Sequence, residues 1–324
     1  MKRFIITLMT IVICFSMLAG CQKDAVDSVD DYSTEKLNVV ATVFPPYDFV
    51  REIAGNNVEL TMLLSPGSES HSYDPTPQDI IMIQNCDIFI YVGGESDEWV
   101  DKILNSMDTG NMKIIPLMDL VDTVEEEVVE GMEEEEEHEE EISEGEALPE
   151  LDEHVWTSPE NAITIVKYIT NALCELDSSN ASAYESNAAA YLEKLSELDE
   201  SFQQVVDKAL RNTVIFADRF PFRYFADAYN LDYYAAFPGC STETEASAAT
   251  VAFLIEKVNE ENIPVVFHIE FSNEKMADAI CESTGAGKML LHSCHNITKD
   301  DFESGVSYLE LMNQNVENLK EALQ

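Results

Sequence analysis

Basic residues are scarce in this chain. Its 324 residues carry 18 Lys and Arg against 63 Asp and Glu, a formal charge of −45. Such a surface repels nucleic acid and anionic headgroups, which excludes a nucleic-acid partner, and it favours cations. Histidine is scarcer still, with six: His71, His138, His154, His268, His292 and His295. There is no CxxC pair and no HExxH helix, so no local signature identifies a metal. After residue 18, no apolar run approaches the length of about 18 residues that a membrane span needs.

What is present begins with a targeting segment. Lys2 and Arg3 precede an apolar run from Phe4 to Leu18, too short to span comfortably and laid out like a secretory signal. It ends in Leu18-Ala19-Gly20-Cys21, which resembles a bacterial lipobox. The expectation is a signal peptide over 1–20 and a lipid on Cys21. Residues 21–36 then form a polar, acidic tether on the extracytoplasmic face of the cell membrane. Cys14 and Cys21 belong to that signal. Cys86 and Cys174 sit in apolar patterns, and Cys281 falls on a predicted helix. Cys240 and Cys294 lie in loop-like contexts where an extracytoplasmic location permits a bridge.

From Leu37 short β-branched runs alternate with amphipathic stretches, the pattern of parallel β-α-β units. Thr76-Pro77-Gln78-Asp79 predicts an N-cap, a first-turn proline and a capping acid. Of the 25 residues from Asp122 to Glu146, fifteen are acidic. So dense a like-charge run predicts a disordered loop over 122–147. A glycine- and proline-free pattern over 181–210 places Tyr184, Ala188, Tyr191, Leu195, Leu198 and Phe202 at helical spacing. The reading is α/β: two lobes of parallel sheet flanked by helices, at 37–180 and 211–324, joined by a long rigid helix.

Apart from His138, the histidines fall in loops or at predicted strand ends, and those edges line the ligand crevice of open parallel sheets. Neutral imidazole suits zinc and its neighbours. Taken singly, each histidine is as readily a surface or hydrogen-bonded residue. Several separated segments add a constraint: Phe44-Pro45-Pro46-Tyr47-Asp48-Phe49, His71-Ser72-Tyr73-Asp74-Pro75-Thr76-Pro77, and the run Asp152-Glu153-His154-Val155-Trp156-Thr157-Ser158-Pro159 continuing to Ala162. Tyr308-Leu309-Glu310-Leu311-Met312 with Asn315 is a fourth. Together they resemble the metal-binding subunits of zinc and manganese ABC importers, from about Leu37 to the C-terminus.

The resemblance implies a solute-binding protein, not an enzyme, that delivers Zn2+ (with Mn2+ or iron as alternatives) to an ABC permease as a monomer. His71 matches the first family ligand and His154 the second. At the third, where the family usually has histidine, this chain has Arg219, which cannot ligate at neutral pH. Adjacent Asp218 offers oxygen, or it pairs with Arg219 or Arg223. At the fourth, usually aspartate, stands His292, so that a nitrogen lost in one loop is regained in the facing one. The implied ligands are His71, His154, Asp218 and His292, with His295, Cys294, Glu270 and His268 in reserve. A surface adhesin on the same fold and a metallohydrolase are the other readings; no general base at signature spacing supports the second.

Overall fold

The computed structural model describes residues 36–69, 73–132, 150–241 and 245–324. Cys21 and its flanks, His71 and His138 lie outside the described residues.

Lys36–Gln324 forms one compact unit with two four-stranded sheets. In the first, β1 (Leu37–Ala41), β2 (Val58–Met62), β3 (Ile88–Tyr91) and β4 (Lys113–Pro116) run in the order β2-β1-β3-β4. In the second, β5 (Thr213–Phe220), β6 (Asp232–Pro238), β7 (Val265–His268) and β8 (Gly287–Leu290) run β6-β5-β7-β8. Every pairing is parallel. The two halves share one strand order, and each reverses direction at the same place, between its first and third strands. Ligand crevices of open parallel sheets form outside the carboxyl ends at that point.

The helices are α1 (Phe44–Ala54), α2 (Pro77–Gln84), α3 (Glu98–Leu104), α4 (Pro159–Leu176), α5 (Ala181–Asp207), α6 (Arg223–Tyr229), α7 (Ala248–Glu260), α8 (Lys275–Thr284), α9 (Lys299–Ser304) and α10 (Tyr308–Ala322). Thr76 caps α2 through the expected box with Asp79, and Ser307 caps α10 through a second box with Glu310. Helix α5 runs 27 residues. Its buried face is Tyr184, Ala188, Tyr191, Leu195, Leu198 and Phe202, the set the spacing predicts, and this face packs on α4, α1 and α10. One continuous core passes from Val39 and Ile90 of the first sheet, through that face, to Phe216 and Phe267 of the second. A contiguous apolar core of this kind resists hinge motion between the sheets.

Two expectations need revision. Residues 121–132, the start of the acidic stretch, are packed rather than loose: Glu125 bridges antiparallel to Leu151, and Glu126 N–H donates to Glu150 O at 2.9 Å. The side chain of Glu126 accepts from Cys240 N–H at 2.8 Å, so the segment docks on the second half. Carboxylates at the edge of the run find backbone donors there, which the charge count alone does not foresee. Cys240 and Cys294 are free thiols, as are Cys86, Cys174 and Cys281. Cys294 is fully buried in the core, its Sγ toward His292 O.

Candidate metal site

Loops from the carboxyl ends of both sheets converge on one pocket. Its walls include Glu69 after β2, Arg219 at the end of β5, Gly239 after β6, Glu270 after β7, His295 after β8, and His154.

His154 sits where the chain leaves the acidic stretch, in a tight turn ahead of α4. It is fully buried, with 1 % exposure. Asp152 Oδ1 accepts from His154 N–H at 2.8 Å and lies 3.2 Å from its Nδ1. That carboxylate fixes the ring and directs the opposite nitrogen away from Asp152. Burial pulls the His154 pKa down, but Asp152, Glu153 and Glu126 outweigh it and leave it raised. Two residues on, Trp156 Nε1 donates to Ser293 O at 2.8 Å, and Tyr308 Oη donates to Trp156 O at 2.7 Å. The His154 turn is thereby bolted to the loop after β8.

That loop carries the second imidazole. The rings of His154 and His295 lie 5.2 Å apart at 86°, and His295 packs on Trp156 at 4.9 Å. Asn296 Nδ2 donates to Ser65 O and Ser68 O at 2.8 and 2.9 Å, joining the loop to the one after β2. Glu270 holds the same loop from below, accepting from Ser293 N–H at 2.8 Å and from Ser293 Oγ. Arg219, only 9 % exposed, donates both terminal nitrogens to Glu69, at 3.1 and 3.0 Å, and one to Ser241 O at 3.2 Å.

His292 and Asp218 are not among the residues that line the pocket. His292 Nδ1 accepts from Cys294 N–H at 2.9 Å, while Asn315 receives His292 N–H and donates to its carbonyl, both at 2.8 Å. Asp218 accepts from Arg219 N–H at 2.9 Å and from Ile269 N–H at 3.4 Å, tying β5 to the end of β7. His268 Nδ1 lies 3.0 Å from Ile269 O. Among the described residues, the one set of three ligand atoms within 4.8 Å of one another is that of Glu126, Glu150 and Cys240. His154, His295 and Glu270 face one pocket without closing to that separation.

Paired parallel sheets with histidines and carboxylates at their shared carboxyl edges define a two-lobed α/β solute-binding protein. Comparison with known proteins makes this specific: the chain belongs to the zinc-uptake complex component A family, whose pattern matches residues 39–322. It is 32% identical over 318 residues to the high-affinity zinc uptake system protein ZnuA of Bacillus subtilis, covering 98% of this chain and 97% of that one. It is 30% identical over 324 residues to the zinc-binding lipoprotein AdcA of Streptococcus pneumoniae, covering 99% of this chain but 61% of the longer relative. The crystal structure of the Zn(II)-bound ZnuA-like domain of that AdcA superposes with a TM-score of 0.72 at 28% identity, covering 89% of this chain and 99% of the domain. The family is one of metal-binding proteins and not of enzymes.

Proposed function

We propose that this protein captures zinc in the pocket between its two sheets and releases it to the permease of an ABC importer, held at the membrane by a lipid on Cys21. The observation that carries the reading is the meeting of His154 and His295, brought from opposite halves of the chain to 5.2 Å across one buried pocket. Imidazole nitrogens at about 2.0–2.1 Å and one or two carboxylate oxygens suit a tetrahedral zinc. Glu270 is the carboxylate in the wall that Arg219 does not clamp, and His71 supplies a further nitrogen by its match to the family's first ligand. Asp218 and His292 then serve the site as braces, because neither lines the pocket and their bonds tie together the loops that do. Manganese is the alternative cargo. Nitrogen-rich sites bind zinc more tightly than manganese, which favours zinc.

The test is calorimetry on metal-stripped chain from Gln22 with zinc and with manganese. His154→Ala and His295→Ala should each abolish a single tight zinc site, and His292→Ala should keep it. Loss in His292→Ala with retention in His295→Ala would overturn the assignment. No tight zinc site in the unaltered chain would overturn the function.

A further inference from the structure

His295 faces two spaces. One is the metal pocket, shared with His154 and Glu270. The other is a small separate cavity of about 20 Å³, whose wall includes Thr42, Tyr73, Asp97, Glu153 and His295. That volume holds one water molecule. Among the described residues, no lysine or arginine lines it.

Thr42 follows β1 at the switch point of the first sheet. It is 3 % exposed, and its Oγ1 is buried with no hydrogen-bond partner. A buried hydroxyl without a partner is destabilising, so its retention beside the site calls for a reason. The two carboxylates are partly committed. Asp97 Oδ2 accepts from Val92 N–H at 2.8 Å and from Gly93 N–H at 3.1 Å, and Glu153 Oε1 accepts from Ser96 N–H at 2.8 Å. Each carboxylate keeps further acceptor capacity, since its two oxygens offer about four lone-pair sites.

We propose that this cavity seats one water that positions His295, and that Thr42 is thereby a positioning residue for the metal site. The water takes the Thr42 hydroxyl proton and an imidazole N–H of His295 as its two donors. It gives its own hydrogens to the Asp97 and Glu153 carboxylates, completing four hydrogen bonds. The consequence is a choice of tautomer: the His295 nitrogen on the cavity side carries the hydrogen, and the one on the metal side presents its lone pair. Outer partners of metal-ligating histidines act in this way, and losing one weakens metal binding about 10–100-fold. The inference rests on the reading of His295 as a zinc ligand.

The experiment measures zinc affinity by chelator competition for Thr42→Val, Thr42→Ser and His295→Ala. Side-chain nitrogen shifts of His295 are read by NMR in the metal-free protein. Thr42→Val keeps the shape and removes the hydroxyl. It should weaken zinc about 10–100-fold and shift His295 away from a single tautomer, with a melting temperature at or above that of the unaltered chain. Thr42→Ser should restore both readouts. Unchanged zinc affinity in Thr42→Val, or equal damage in Thr42→Ser, overturns the positioning role. If His295→Ala itself binds zinc normally, the ligand assignment fails, whatever Thr42 does; if His295→Ala abolishes binding while Thr42→Val does not, only the present inference fails.

Discussion

Arg219 reaches across from the end of the fifth strand and clamps the carboxylate of Glu69 through both terminal nitrogens, at 3.1 and 3.0 Å. A fixed positive charge therefore stands in the wall of the pocket proposed to take the cation, neutralised by one carboxylate. Removing the guanidinium leaves the negative partner behind. Arg219→Gln should therefore bind zinc more tightly, by roughly tenfold, since each 1.4 kcal/mol of relieved repulsion is a factor of ten. The same change loses the buried bond to Ser241 O and should cost about 1–3 kcal/mol of stability. Chelator competition and denaturant titration check the two halves. Weaker zinc binding in Arg219→Gln would show that the clamp shapes the site more than its charge opposes it.

Asp152 makes two contacts to His154, one to its backbone and one to its ring. Asp152→Asn should preserve the fold and lower zinc affinity about 10–100-fold, because the amide neither favours one tautomer as strongly nor raises the basicity of the ligand. Competitive titration measures it, with the melting temperature of the metal-free protein as control.

Asp97 is buried against two backbone amides with Glu153 nearby. Burial pushes its pKa up to about 7. For an acid raised in the folded state, the unfolded chain gives up its proton first. The stability contributed by protonated Asp97 is therefore complete below about pH 4 and is lost as pH rises toward 7. Asp97→Asn should flatten this part of the stability curve of the metal-free protein. Urea unfolding at pH 4, 5.5 and 7 reads the effect; parallel curves for the two proteins would refute it.

Gly94 has φ of 78°, and a Cβ placed on it would lie 2.5 Å from Glu153 Oε1. Gly94→Ala faces both the left-handed backbone and that carboxylate, which is held by Ser96 N–H. A loss of about 1–3 kcal/mol is expected. Because Glu153 neighbours His154, zinc affinity should fall as well. Thermal unfolding and zinc competition on the same variant test both.

Much of the architecture was legible before the structure. The six apolar positions of α5 repeat with the helical period, and a buried face shows itself in that way whatever it packs against. Thr76 and Asp79 announce a helix start through local chemistry alone. The site was less legible. His292 and His295 stand three apart in a stretch with no regular period, so nothing in their spacing says which turns to the pocket. The turn at Cys294, with φ of 63°, decides it, and a left-handed conformation at a residue other than glycine leaves little trace in sequence. Short α9 leaves no clear sequence signal for a related reason: six residues carry too little periodicity to separate a helix from a loop. The docking of Glu126 on Cys240 depends on a partner 114 residues away.

The bridge between Glu125 and Leu151 gives the acidic stretch a closed neck. Chain enters and leaves this neck at adjacent points. Closing a flexible loop twice as long costs only about 0.6 kcal/mol more. The neck therefore works as a port: Asp152 and His154 keep their places a few residues downstream, whatever length of acidic sequence is inserted between Met132 and Glu150.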